Sequence, residues 1–96
     1  MIEIRQTDEY AKWFASLRDT QARARINARI RRLSLGNAGD AEPVGEGVSE
    51  MRIHYGPGYR VYFIQRGEVL AILLAGGDKS TQSKDIKAAL KLAREL

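Results

Sequence analysis

Basic side chains that suit phosphate chemistry lie close together in the stretch MRIHYGPGYRVYF, residues 51–63. Arg52 and Arg60 carry guanidinium groups, which match phosphate oxygens in a bidentate way. His54 is the single histidine of the chain, and histidine is the residue type that most readily takes up or releases a proton at physiological pH. These residue types favour a site that binds a phosphate group and moves a proton.

The alternation of apolar and polar residues around Gly56-Pro57-Gly58 predicts a β-hairpin. A three-residue loop pairs Tyr55 with Tyr59 and His54 with Arg60. One predicted face is then apolar and consists of Met51, Ile53, Val61 and Phe63. The other is basic and aromatic, open to water or a ligand, and consists of Arg52, His54, Arg60 and Tyr62.

Two arginines on neighbouring strands destabilise a sheet unless an anion or a carboxylate lies between them. Glu50 shares their predicted face, so one interpretation is a surface ladder of salt bridges. The other is a phosphate site with His54 and Tyr62 at its edge. The pattern of residues leaves both interpretations open.

The elements that must position this hairpin can be predicted from periodicity and caps. Residues 2–5 alternate as a short strand, and Thr7 or Asp8 caps a first helix. A second helix follows Asp19 and ends near Gly36, with an apolar stripe opposite several arginines. The apolar stripes contain Tyr10, Trp13, Phe14 and Leu17 in the first helix and Ala22, Ile26, Ile30 and Leu33 in the second.

The second half of the chain predicts a loop over 36–47, strands over about 48–55, 59–65 and 69–75, and a final helix. A two-residue turn at Arg66-Gly67 puts Phe63 opposite Leu70 and adds the third strand to the apolar face. The final helix starts at Thr81 or Gln82, with Ser80 or Thr81 as its cap. Its apolar stripe contains Ile86, Ala89, Leu90 and Ala93. The order predicts an α+β domain with a mostly antiparallel sheet.

Composition limits the class of protein. The 96 residues predict one domain, 1–96, and the formal charge of +4 with a pI near 9.7 favours a nucleic-acid partner. The absence of cysteine excludes disulfides and thiolate metal sites, and we expect no metal and no cofactor. Without a signal peptide or a membrane-spanning run, we expect a soluble, cytoplasmic protein with no membrane partner.

Two long segments resemble a known family: LSLGNAGDAEPVGEGVSEMRIHYGPGYRVYF and, further on, LLAGGDKSTQSKDIKAAL. Together with the Trp13 helix and RINARIRRL, they resemble the HigB-like addiction-module branch of the RelE/ParE toxin superfamily. The resemblance implies a toxin of a type II toxin–antitoxin pair that cuts mRNA in the ribosomal A site. It also implies an antiparallel sheet with a helical hairpin on one side and a basic cleft on the other.

The resemblance assigns roles to individual residues. Arg60 matches the superfamily arginine at the scissile phosphate, and Arg52 matches a basic strand position of the same cleft. Lys79 matches a basic residue after the last strand, and its place before the final helix also suits an anion. Tyr62 and Lys84 are further candidate RNA contacts.

The proton carriers are the point where this chain departs from the family pattern. Related nucleases often use a tyrosine or a histidine near the C-terminus, and QSKDIKAALKLAREL contains neither. His54 or Asp85 would then move the proton, or the ribosome would supply the group. The sequence does not decide between them.

The same scaffold has a second implied function. ParE-like members bind DNA gyrase without cutting nucleic acid, and such a protein would tolerate loss of Arg52 and Arg60. The presence of both arginines favours the nuclease, whose partners would be the ribosome, mRNA and a cognate antitoxin. We expect the antitoxin to be a small helix-turn-helix protein.

Overall fold

A five-stranded sheet organises the chain, and helices lie on both of its faces. The computed structural model describes residues 1–96. Its strands are β1 (Glu3–Gln6), β2 (Ala41–Gly45), β3 (Val48–Ile53), β4 (Tyr59–Arg66) and β5 (Leu70–Asp78), arranged in the order β1-β5-β4-β3-β2. β1 runs parallel to β5, and all other neighbours are antiparallel. The predicted α+β class with a mostly antiparallel sheet is confirmed.

The helical hairpin begins where its caps predict. In α1 (Asp8–Ser16) the Thr7 hydroxyl accepts a hydrogen bond from the Tyr10 amide, and in α2 (Thr20–Ser34) Asp19 accepts from two amides of the first turn. Gly36, with φ of 93°, follows the end of α2 in the left-handed conformation that glycine tolerates. Both caps and the stop residue were predictable because each depends on local chemistry alone.

The helical hairpin of α1 and α2 covers one face of the sheet, and the larger core lies between them. Tyr10 and the apolar stripe of α2 pack there against the predicted apolar face of β3 and β4. Trp13 lies so close to β5 that a Cβ on Gly76 would come within 2.1 Å of its ring. Glycine at position 76 therefore allows α1 to dock on the sheet. The buried members of this core are Ile2, Tyr10, Ile26, Leu33, Met51, Ile53, Val61, Phe63, Ala71 and Leu73.

The other face carries a second core, which corrects the expectation that this whole face is open. α3 (Gln82–Arg94) packs its predicted stripe on it and excludes water from most of it. The buried members are Val48, Tyr62, Leu74, Ala75 and Ala89. Only the end of the face near Arg52 and Arg60 is left uncovered. None of the helices is long and apolar enough to cross a bilayer.

The predicted loop over 36–47 is wrong because it contains β2. Ala41 pairs with Met51 and Glu42 with Glu50, and a bulge between Pro43 and Gly45 interrupts the register. β2 is an edge strand, where the missing amide of proline does not break a ladder. Glycine and proline therefore suggested a loop where the chain forms a short, irregular strand.

The β3–β4 register differs from the prediction by two residues. Ile53 pairs with Tyr59 and Arg52 with Arg60, so the connection has five residues, 54–58, instead of three. Gly58 donates to the Tyr55 carbonyl and closes a turn before strand pairing begins. A shift of two residues preserves the faces, so Arg52 and Arg60 still share one. His54, predicted within the strand, lies in the connection.

The β4–β5 register is also wrong, and here the faces change. Arg66 pairs with Leu70 and Phe63 with Leu73, because the turn spans the three residues 67–69 and starts with Gly67 in the left-handed conformation. The observed register differs from the predicted one by an odd number of residues, because Phe63 pairs with Leu73 and not with Leu70. The side chains of β5 therefore change faces, and Ile72 joins the second core instead of the first. A bulge between Tyr62 and Phe63 offsets the remainder of the pair.

The start of α3 is preceded by one 3₁₀ turn, Lys79–Thr81. Thr81 occupies the predicted N-cap position, but the capping side chain is Asp78, which accepts hydrogen bonds from Ser80. The Thr81 hydroxyl instead donates to Asp85. This turn fixes Lys79 beside the end of β4.

Candidate functional site

An open cleft of about 680 Å³ lies at the uncovered end of the sheet. β3 and β4 contribute Arg52 and Arg60, and the start of the C-terminal helical segment contributes Lys79 and Gln82. The connection between the two strands forms the remaining wall, residues 53–58. The cleft therefore brings together both predicted arginines, Lys79 and His54.

Arg60 is the guanidinium of the cleft that forms no ion pair with a carboxylate. Neither Arg60 nor Lys79 takes part in any ion pair of the structure. The Nε atom of Arg60 is buried without a hydrogen-bond partner. The Arg60 side chain as a whole is half-buried and lines the cleft, so a phosphate can reach the rest of its guanidinium from the cleft side. Arg60 and Lys79 therefore provide positive charge in the cleft that can bind an anion.

Arg52 has a different environment, although it faces Arg60 across the strand pair. It donates to Glu42 at 2.9 Å and to Glu50 at 3.3 Å, and it lies 3.6 Å from an Asp40 oxygen. The hydrogen bond to Glu42 is the main reason that the pKa of Arg52 lies above its usual value. Arg52 therefore fits the interpretation as part of a salt-bridge ladder. Arg60 fits the interpretation as a phosphate site.

Glu50 lies beneath the cleft and is 1% exposed. It accepts hydrogen bonds from Gln82 at 2.7 Å, Tyr62 at 3.0 Å and Arg52 at 3.3 Å. Burial raises the pKa of Glu50, but these bonds and the charge of Arg60 outweigh burial and hold the pKa below its usual value. A buried carboxylate thus links β3, β4 and α3 at the base of the site.

Tyr62 is not on an accessible surface, which corrects its expected position. Its side chain is 0% exposed under α3, and its hydroxyl donates to Glu50. Burial is the main cause that raises the pKa of Tyr62, so the phenol stays protonated. A side chain without exposed surface does not contact RNA, and Tyr62 instead orients Glu50.

His54 stands at the rim of the cleft and is largely exposed, with 73% of its side chain accessible. Its Nε2 atom is hydrogen-bonded to the Asp40 carboxylate. This hydrogen bond is the main reason that the pKa of Asp40 lies below its usual value. Asp40 thereby orients the imidazole beside the cleft.

Two predicted residues lie outside the cleft lining. Asp85 contacts Thr81 and stands over Gly77, where an added Cβ would come within 1.8 Å of its carboxylate. Lys84 is exposed on the first turn of α3. Neither residue lines the cleft as His54 does.

Sequence reasoning missed four residues that shape the site: Asp40, Glu42, Gln82 and Arg29. Asp40 and Glu42 were hidden in the segment predicted as a loop. Arg29 is one of several arginines of α2, and nothing in its spacing distinguishes it. The only signal for Gln82 was its place at the predicted start of the final helix, close to Lys79 in the sequence.

No group of three or more His, Cys, Asp or Glu side chains lies at metal-binding spacing.

Comparisons with known proteins identify the family. The sequence profile of the family described as phage-derived protein Gp49-like (DUF891) matches residues 12–96. A protein of Haemophilus influenzae, described as uncharacterized, is similar to this chain, with 53% identity over 95 residues, 99% of this chain and 96% of its own length. No solved structure matches the chain. The chain therefore belongs to the phage-derived Gp49-like family, a family of RelE-like toxins.

Proposed function

We propose that this protein is the toxin of a type II toxin–antitoxin pair, in the HigB-like branch, and that it cleaves mRNA in the ribosomal A site. The observation that carries the proposal is that Arg60 and Lys79, which form no ion pair, line the same open cleft. Membership of a RelE-like toxin family supports the same function. The activity and the partners are the new claims.

The proposed reaction is metal-independent transesterification. The ribose 2′-hydroxyl attacks the adjacent phosphorus, the bond to the 5′-oxygen breaks, and the products carry a 2′,3′-cyclic phosphate and a 5′-hydroxyl. One proton leaves the 2′-hydroxyl, and one proton goes to the departing 5′-oxygen. Arg60 donates to the equatorial phosphate oxygens as negative charge develops, and Lys79 adds a second positive charge.

Arg52 has a supporting role in this proposal. Three carboxylates surround its guanidinium, so it offers less uncompensated charge to a phosphate than Arg60 does. We propose that it shapes the cleft wall and holds Glu50 in place. Lys84 would contact RNA only outside the cleft.

His54 is the proposed proton carrier. It lines the cleft and is oriented by Asp40, as a general base or acid must be. Asp85 is the weaker candidate. Its carboxylate accepts a hydrogen bond from Thr81, stands over Gly77 and does not line the cleft. The ribosome remains an alternative donor for the second proton.

A cognate antitoxin completes the proposal. We expect a small helix-turn-helix protein that covers part of the basic surface and keeps the toxin inactive. Its binding would compete with RNA for the same charges.

The first prediction concerns Arg60. Inducing the chain in a bacterial host arrests growth, and Arg60→Ala relieves the arrest, because loss of one donor to a developing oxyanion lowers the rate by about 10²–10³. The measurement is growth, together with mapping of RNA ends on translating ribosomes. Arg66→Ala is the matched control, since Arg66 is an exposed arginine of the same strand outside the cleft.

Two results would contradict the proposal. One is an Arg60→Ala variant that melts like the wild type and still cuts mRNA at the wild-type rate. The other is growth arrest without RNA cleavage but with inhibition of gyrase supercoiling, which would assign the ParE-like function instead.

A further inference from the structure

A second basic groove joins the cleft beside His54. The groove has a volume of about 340 Å³ and is lined by Arg25, Ala28, Arg29, Arg32, Ile53 and His54. Ile53 and His54 also line the cleft, so the two depressions form one continuous surface. Four of the six lining residues come from α2.

Arg29 fixes the floor of this groove. Its guanidinium donates to the backbone carbonyls of Arg52, Ala38 and Asp40, which ties α2 to β3 and to the segment before β2. A Cβ on Gly39 would come within 2.9 Å of this guanidinium, so the segment packs closely against it. Arg29 is therefore held in place before any ligand arrives.

Arg25 and Arg32 are exposed and form no ion pair. Arg25 lies over the ring of Tyr55, 4.7 Å from its centroid, which holds the side chain without neutralising it. Burial and then the charge of Arg32 lower the pKa of Arg29. The nearby carboxylate of Asp40 is occupied by His54 and Arg52. Positive charges therefore converge here with little compensation.

We propose that this groove binds the phosphate backbone of the same single-stranded RNA that occupies the cleft. This inference rests on the proposed function and adds a second phosphate subsite, built by α2, to the site at Arg60. A continuous strand supplies phosphates at regular intervals, and guanidinium groups bind them bidentately. The shared wall at His54 gives the strand an unbroken path from one subsite to the other.

The test uses oligonucleotides that cannot be cut. Fluorescence anisotropy measures the affinity of the whole protein for a 2′-O-methyl dinucleotide, which fills only the cleft, and for a 2′-O-methyl hexanucleotide, which reaches the groove. Arg32→Ala is compared with Arg31→Ala. Arg31 is the neighbouring exposed arginine of α2 and lines neither depression, so both variants lose the same charge from the same helix.

We expect the wild type and Arg31→Ala to bind the hexanucleotide at least about tenfold more tightly than the dinucleotide. In Arg32→Ala we expect most of this gain to disappear. The slope of log affinity against log salt should fall by about 0.7 for each phosphate of the single strand that the protein no longer neutralises. Dinucleotide binding should be equal in both variants.

Several results would overturn the inference. An equal loss in Arg31→Ala and Arg32→Ala would mean that only net charge matters, and no gain with length in the wild type would mean that the groove is unused. Stronger, Arg32-dependent binding of a glutamate-rich peptide would assign the groove to an acidic protein segment. A hexanucleotide gain without cleavage on ribosomes would overturn the proposed nuclease and leave the subsite standing.

Discussion

Arg52 and Arg60 have the same side chain and face each other across two strands, yet their neighbours give them different properties. Carboxylates from β2, β3 and the preceding segment surround Arg52, whereas Arg60 has none within ion-pair distance. Sequence alone predicted that the two arginines share a face. It could not distinguish them, because Glu42 and Asp40 come from a segment predicted as a loop.

Glu50 gives a prediction at this scale. Glu50→Gln keeps the shape of the side chain but removes the charge that receives three hydrogen bonds, so we expect the free energy of unfolding at pH 7 to fall by about 1–3 kcal/mol. Because Glu50 joins α3 to β4, the strand that carries Arg60, RNA cleavage should fall as well. Urea unfolding and the cleavage assay measure the two effects, with the exposed Glu68→Gln as control.

The pH dependence of Glu50 has a definite sign. Its folded pKa lies below its unfolded value, which is about 4.3, so its stabilisation is complete above the unfolded pKa and is lost as the pH falls through the folded pKa. The difference in unfolding free energy between the wild type and Glu50→Gln should therefore shrink below about pH 4. A difference that stays constant down to about pH 2 would contradict the ionised, hydrogen-bonded state of Glu50.

At the scale of elements, local signals were predictable and long-range pairings were not. The Thr7 cap, the start of the second helix after Asp19 and the stripes of all three helices depend on neighbours in sequence, and the structure confirms them. The two strand registers depend on turn length, and both turns proved longer than predicted. Arg52 and Arg60 still share a face as predicted, because a shift by two residues preserves the alternation of the strand.

The contact between α1 and β5 gives the element-scale prediction. Gly76→Ala places a methyl group against the ring of Trp13 and should lower the free energy of unfolding by about 1–3 kcal/mol. Trp13→Leu removes the obstacle, so the double variant should lose less stability than the sum of the single variants. Urea unfolding followed by circular dichroism measures the cycle. Additive losses would mean that α1 and β5 do not meet at Gly76.

At the scale of the whole molecule, both faces of the sheet are covered, and the cations remain at one end. The apolar faces could be predicted in part, whereas the covering of the second face by α3 could not, because the face predicted to be open contained only a few apolar residues. The different β4–β5 register turns Ile72 and Leu74 of β5 to this face and supplies the missing ones. The candidate site therefore lies at one end of the sheet and does not extend over a whole face.

The net charge of +4 gives the last prediction. Association with translating ribosomes should weaken linearly in log affinity against log salt, as expected when cations replace counterions on phosphates. Co-sedimentation at increasing potassium chloride measures it. Arg60→Ala and Arg32→Ala should each reduce the slope more than Arg66→Ala does, and an affinity unaffected by salt would contradict an RNA partner.

The parallel pairing of β1 with β5 has a consequence for the timing of biosynthesis. Residues 3–6 have their sheet partner at residues 70–73, and β5 lies between β1 and β4. A growing polypeptide therefore cannot complete its sheet until β5, residues 70–78, has been translated. Lys79 and Gln82 emerge later still. Under the proposed function, a nascent chain would lack an assembled cleft, and could not cut RNA, until β5 and the turn that carries Lys79 had left the ribosome.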